Sequence, residues 1–224
     1  MSGTHVDDHG TTRVWPLHGI RLRTTDLDLR VMTEGDLSVL ARVLPADLEL
    51  NPHATRYAGL DDPANRRAVL AQGYWRALGM WSPDDWALPF VARSAGECVG
   101  VQWLEGPDWT SERIVDSSSW LVATARGRGL GKQMRAAVLA LAFGHLGAVA
   151  AVSSAVVGNG GSLGVSRALG YRDTHRTVLE HSGETLQHVR LEAPAWSASG
   201  LAHDVVVDGV PPALPLFGLG QGGR

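Results

Sequence analysis

The sequence predicts a single domain of mixed α/β class, and three observations predict it. Helical and strand patterns alternate along the chain. A turn with three glycines in five positions joins a strand to a long helical stripe. A later segment, from Ala148 to Val157, is small or apolar throughout, as in a central strand covered on both faces. The size agrees: 224 residues, 44% hydrophobic and 19% charged, suit one globular domain with a real core. Three segments are expected: a polar, flexible arm over residues 1–18, a folded domain over 19–196, and a loop-like extension over 197–224 rich in proline and glycine.

Each element has its own signal. Leu27, Leu29 and Val31 alternate with Asp28, Arg30 and Met32, which predicts the first strand. Thr33, with Asp36 three positions on, offers an N-cap to a helix carrying Leu37, Leu40, Val43 and Leu44 and stopped near Pro45. Pro63 opens a second helix that runs to about Leu78. Strands over Trp86–Arg93 and Cys98–Leu104, joined by Ser94-Ala95-Gly96-Glu97, form a hairpin. A fourth strand is expected from Glu112 to Val122. After the glycines, Leu130, Met134, Ala137, Val138, Leu141, Ala142 and His145 mark one face of a helix. The strand from Ala148 follows as the fifth. A short helix over Ser162–Leu169 and a final hairpin of Arg176–His181 with Thr185–Leu191 complete the domain.

Composition excludes several classes. The net charge is −3 and the pI about 6.3, with no basic run that would suit nucleic acid. The single cysteine, Cys98, forms no internal disulfide and fits a reducing compartment; it reads as a buried strand residue. No apolar run reaches 18 residues and no signal-peptide pattern is present, so a soluble, cytoplasmic protein without a membrane partner is expected. The nine histidines, His5, His9 and His18 among them, match no metal-site spacing, and no metal is expected. Six of the eight tryptophans lie between positions 75 and 120; an aromatic acceptor pocket is one reading and core packing the other.

The chemistry concentrates in Arg126-Gly127-Arg128-Gly129-Leu130-Gly131-Lys132. Glycines at a strand-to-helix junction let backbone approach a ligand and leave the first helical N–H groups free, and the helix dipole favours an anion there. Arg126 and Gln133 stand where a Walker A loop needs glycine and serine or threonine. Lys132 stands where a dinucleotide fingerprint needs its last glycine. The remaining pattern, R-x-x-G-x-G over Arg126, Gly129 and Gly131, resembles the acyl-CoA pyrophosphate loop of the GCN5-related N-acetyltransferases (GNAT). The segment Asn159-Gly160-Gly161-Ser162 with Leu169-Gly170-Tyr171 is similar to a second motif of that family, in the right order and at the right distance. The resemblance covers about residues 20–196 and is nearest the branch that includes ribosomal-protein N-terminal acetyltransferases.

That resemblance implies a mostly antiparallel central sheet, flanked by helices and splayed between its fourth and fifth strands. It implies acetyl transfer from acetyl-CoA to a primary amine of a protein N-terminus or small molecule, by direct attack in a ternary complex. A homodimer is compatible with it. The cofactor would be held by Arg126, Gly127, Arg128, Gly129, Leu130, Gly131 and Lys132, with pantetheine pairing at Leu121 and Val122, one of them giving the oxyanion donor, and with Asn159 orienting CoA. Many relatives place a tyrosine acid where this chain has Ser166. The ribosomal-protein branch points instead to Ser162. The base is open among Glu105, Asp116, Glu180 and His181, with Glu105 preferred. The rival reading is a catalytically weak acyl-CoA-binding or regulatory module, since the tyrosine is absent.

Overall fold

The structure is a computed structural model that describes residues 12–49, 51 and 54–220. Its centre is one ten-stranded sheet: β1 (Arg21–Arg23), β2 (Asp28–Val31), β3 (Trp86–Ser94), β4 (Glu97–Gly106), β5 (Ile114–Asp116), β6 (Ser119–Leu121), β7 (Ala150–Val156), β8 (Arg172–Val178), β9 (Thr185–Glu192) and β10 (Val206–Asp208). The order is β10-β1-β2-β3-β4-β5-β7-β9-β8, with β6 paired on β4. Every pairing is antiparallel except β5 with β7.

Helices cover both faces. On one lie α1 (Leu37–Val43) and α2 (Asp62–Gly79), over a core of Met32, Leu40, Tyr74, Val91, Cys98 and Val101. Thr33 and Asp36 form the expected capping box ahead of α1, and Asp61 caps α2, whose first turn holds Pro63. Asp36 is buried between Arg30, at 2.5 Å, and Arg93, at 3.6 Å. On the other face α3 (Leu130–Leu141) buries Leu130, Met134, Ala137, Val138 and Leu141, the expected stripe. With it pack α4 (Gly160–Ala168) and α5 (Ala193–Ser199).

Three expectations change. The fourth strand is not continuous. Asp108 and Arg113 both take left-handed conformations around a helical turn, Trp109–Glu112, which postpones the strand to Ile114; Ser117 and Ser118 then break it into β5 and β6. The stretch from 197 is not loop-like. It completes α5, adds β10 against β1, and ends in a 3-10 helix, Pro211–Phe217. Phe217 packs at 4.9 Å from Trp86 and 5.3 Å from Trp81, while the indoles of Trp81 and Trp109 donate to the carbonyls of Leu216 and Phe217. These aromatics and Trp15 are therefore core rather than acceptor pocket. The arm also ends earlier than 18, because Leu17 is fully buried in the 3-10 turn Pro16–Gly19; residues 1–11 lie outside the described residues.

Candidate active site

The site begins where β5 and β7 part. They pair in parallel from Ile114↔Ala150 to Asp116↔Val152, and beyond Asp116 the chain turns away as β6 to pair only with β4. The result is a V-shaped slot between β6 and the second half of β7. At its apex the Ser153 hydroxyl donates to the Ser117 carbonyl at 3.0 Å, and the Gln102 side chain, fully buried, holds the Ser118 and Trp103 carbonyls at 2.9 and 3.0 Å. These bonds satisfy backbone groups that the break in the ladder would otherwise strand.

The open edge of β6 is selective. Val122 gives its N–H to the Val99 carbonyl at 2.9 Å, and the Ser118 carbonyl accepts from Trp103. By the two-residue alternation of a strand, 118, 120 and 122 turn their backbone toward β4, while Ser119 and Leu121 turn theirs toward the slot. Of the two expected pantetheine partners, Leu121 is therefore free to donate and Val122 is not. The Leu121 carbonyl already accepts from Arg126 Nε at 3.1 Å.

The glycine loop lies at the mouth. Gly129 has φ +79 and caps α3, and Gly127 has φ +72. A Cβ on either would meet nothing within 4 Å among the described residues, so they leave the space above the loop open. The N–H groups of residues 127–131 donate to nothing among the described residues, whereas Lys132 and Gln133 already reach the Gly129 carbonyl. Five consecutive free donors at the positive end of a twelve-residue helix, with Arg128 and Lys132 making no ion pair among the described residues, form a cradle for phosphate oxygens. The residues thus fit the pyrophosphate of CoA. A cleft of about 550 Å³ runs beside the loop from Arg128 to the tip of the β3–β4 hairpin. Arg126 is different: its guanidinium grips Asp47, in the α1–α2 connection, at 2.5 and 2.9 Å. Each partner's charged form is favoured by that bond, lowering the Asp47 pKa and raising that of Arg126.

Loop, strand and second motif converge. A Cβ on Gly131 would lie 3.6 Å from Leu121 and 3.7 Å from Val165 of α4. Asn159 caps α4 through Oδ1, which accepts from the Ser162 N–H at 3.0 Å. Ser162 is partly exposed on the first turn and its hydroxyl makes no hydrogen bond among the described residues. Ser166 is 1% exposed; its hydroxyl accepts from Arg135 Nη1 at 2.6 Å and donates to the Ser162 carbonyl. A hydroxyl held that way has no proton to offer the slot.

On the opposite face of the sheet, Glu105 of β4 stands across from Asp116 of β5, in line with the half-buried Trp103 and near Trp120. Burial raises the pKa of Glu105, Asp116 adds to the rise, and a 3.4 Å bond from Ser118 Oγ opposes it. Burial raises Asp116 as well, against the Ser117 N–H and Arg135. Paired, desolvated carboxylates beside a slot suit proton transfer. Glu180 and His181 lie on the β8–β9 turn, with His181 3.8 Å from Glu49. The α1–α2 connection thus reaches both sides of the mouth; its residues 50, 52 and 53 lie outside the described residues. Sequence reasoning missed Gln102, Ser153 and Asp47. Arg135 reads from the sequence as part of a basic patch with Arg126, Arg128 and Lys132 suited to CoA phosphates, whereas the structure buries it inside α3.

A profile of the acetyltransferase (GNAT) domain matches residues 26–172. Among solved structures, Mycobacterium smegmatis RimJ in complex with CoA-disulfide is 19% identical, with TM-score 0.62, over 83% of this chain and 96% of that one. A spermidine N-acetyltransferase chimera of Vibrio cholerae SpeG and hSSAT is 14% identical, with TM-score 0.59, over 77% and 99%. A putative acetyltransferase from T. thermophilus is 17% identical, with TM-score 0.62, over 82% and 93%.

Proposed function

The chain belongs to the acetyltransferase (GNAT) family and is an N-acetyltransferase of that fold; we propose that it moves the acetyl group of acetyl-CoA to a primary amine by direct attack within a ternary complex. The observation that carries this reading is the slot beyond Asp116 with five free N–H donors at its mouth. Those donors hold the pyrophosphate together with Arg128 and Lys132. The Leu121 N–H pairs with the pantetheine arm or faces the carbonyl oxygen as it gains charge. Asn159 fixes the first turn of α4 so that Ser162 faces the sulfur.

Base and acid come from opposite faces of the sheet. Glu105, made more basic first by burial and then by Asp116, takes the proton of the incoming ammonium, directly or through one water. An α-amino group, with its lower pKa, needs less of this help than a lysine-like amine. RimJ and the spermidine enzyme bear names that point to different acceptors, a ribosomal protein and a polyamine, and the substrate class here is a primary amine of either kind. Trp103 and Trp120 beside the carboxylates suit a cationic acceptor of modest size.

The test is release of CoA thiol from acetyl-CoA over a panel of peptides with free N-termini, polyamines and aminoglycosides. Acceptor-dependent release with any of them supports the enzyme. CoA binding without release from the whole panel supports the weak binding module instead.

A further inference from the structure

Arg135 is a cation in the wrong place for a structural residue. It sits mid-helix in α3, 3% exposed, with no carboxylate within 4 Å among the described residues. Its Nη1 donates to Ser166, its Nε has no partner among the described residues, and its guanidinium lies 6.0 Å from the Tyr171 ring. Burying a cation without a carboxylate partner is costly, and a methionine would pack here without that cost.

The surroundings place this charge at the apex of the slot. Tyr171 and Ser117 lie side by side, and neither the phenol nor the Ser117 hydroxyl has a partner in hydrogen-bond geometry among the described residues. Ser117 in turn is tied by its carbonyl to Ser153, the point where the strands part. Val122 to Ser117 is five residues, about 16 Å at roughly 3.3 Å per residue, comparable with the reach of an extended pantetheine arm. A cofactor anchored at the glycine loop therefore delivers its sulfur to the apex, above Arg135.

We propose that Arg135 is an electrostatic positioning residue, its buried permanent charge stabilising through space the thiolate that forms at the apex. This rests on the slot being the acyl-CoA site. In the reaction the amine lone pair forms the C–N bond to the thioester carbon. The C–S bond breaks and sulfur leaves with the bonding pair. Glu105 takes the incoming ammonium's proton and passes it to solvent, then takes the second nitrogen proton as the tetrahedral adduct collapses. The thiolate takes a proton from Ser162, which regains it from solvent. Arg135 accepts and donates nothing in this sequence; it lowers the energy of the anion.

The other charged or titratable groups coupled to Arg135 are Tyr171 and, across the sheet, Asp116 of β5, which lies beside Glu105 of β4. Burial pushes Tyr171 up to about 12, so it stays neutral through the range that matters. Toward Arg135, α4 presents the Ser166 hydroxyl.

The experiment titrates the thiol of CoA bound to the protein, read by thiolate ultraviolet absorbance, with the CoA Kd measured alongside by calorimetry. Arg135→Met is expected to raise the bound-thiol pKa, cutting the thiolate fraction about tenfold at a pH below it. Arg135→Lys is expected to keep most of the thiolate. Ser166→Ala, which removes the hydrogen bond but not the charge, is expected to leave it unchanged. Should Arg135→Met fold poorly, Arg135→Gln serves in its place. An unchanged thiol pKa in either neutral variant that still binds CoA would overturn the proposal, as would an equal shift in Ser166→Ala. Failure of the wild type to bind CoA would overturn the slot reading itself, a separate result.

Discussion

Ser153 closes the last rung of the β5–β7 ladder with its side chain: its hydroxyl donates to the Ser117 carbonyl at 3.0 Å where the two backbones have separated. Ser153 is 5% exposed, so the carbonyl it serves has little water to turn to. Ser153→Ala is expected to destabilise the fold by about 1–3 kcal/mol, the cost of an unsatisfied buried acceptor. Urea denaturation checks this; a loss within error of zero would show that the apex is held by something else.

Gly129 is the second test. At φ +79, any residue with a Cβ is strained there by about 1–2 kcal/mol, although the space around it is empty. Gly129→Ala separates backbone strain from charge, and Gly129→Asp adds a carboxylate where the pyrophosphate would lie. Calorimetry is expected to show CoA affinity falling by at least about 1–3 kcal/mol in the aspartate variant and by less in the alanine variant. Equal affinity in a folded Gly129→Asp protein would remove the loop from the site.

Ser162 and Ser166 are one helical turn apart and differ in availability. Ser166 is buried with its proton committed to the Ser162 carbonyl, while Ser162 is only partly buried and its hydroxyl has no partner among the described residues. Ser162→Ala is expected to lower kcat by up to about 10²-fold with little change in acetyl-CoA Kd, since a thiolate leaves readily and acid help lies at the low end of its range. Ser166→Ala is expected to cost much less in kcat. The reverse ranking in steady-state kinetics would move the acid to Ser166.

Glu105, the proposed base, can take a proton only when ionised, so activity is expected to rise with pH through its elevated pKa. The elevation comes first from burial and then from Asp116. Asp116→Asn removes the like charge and keeps the shape, so the acidic limb of the kcat/KM profile is expected to move to lower pH. A limb that stays in place would mean that another group carries the proton.

Much of this site was legible because its chemistry is local. The loop glycines and the stripe of α3 are read from adjacent residues, and the structure places them together; Asn159 is read from the sequence only as orienting CoA, and its capping of α4 is seen in the fold. The Thr33–Asp36 box was legible for the same reason. The slot itself came from the family resemblance. Its fastenings did not show, because they join residues far apart in sequence: Ser153 with Ser117, Arg135 with Ser166, Asp47 with Arg126. Val122 was misread for a geometric reason, since two neighbouring strand residues turn their N–H groups to opposite sides and only the register with β4 says which. The C-terminal stretch was misread because proline and glycine signal broken helices and strands, yet Phe217 and the Leu216 carbonyl anchor it to three tryptophans through tertiary contacts alone.

A crystal structure of the protein with CoA tests the central claim most directly. The expected result has the pyrophosphate on the N–H groups of residues 127–131, the pantetheine arm against Leu121 between β6 and β7, and the sulfur at the apex beside Ser117. CoA bound elsewhere, or a pantetheine arm lying outside the slot, would contradict it.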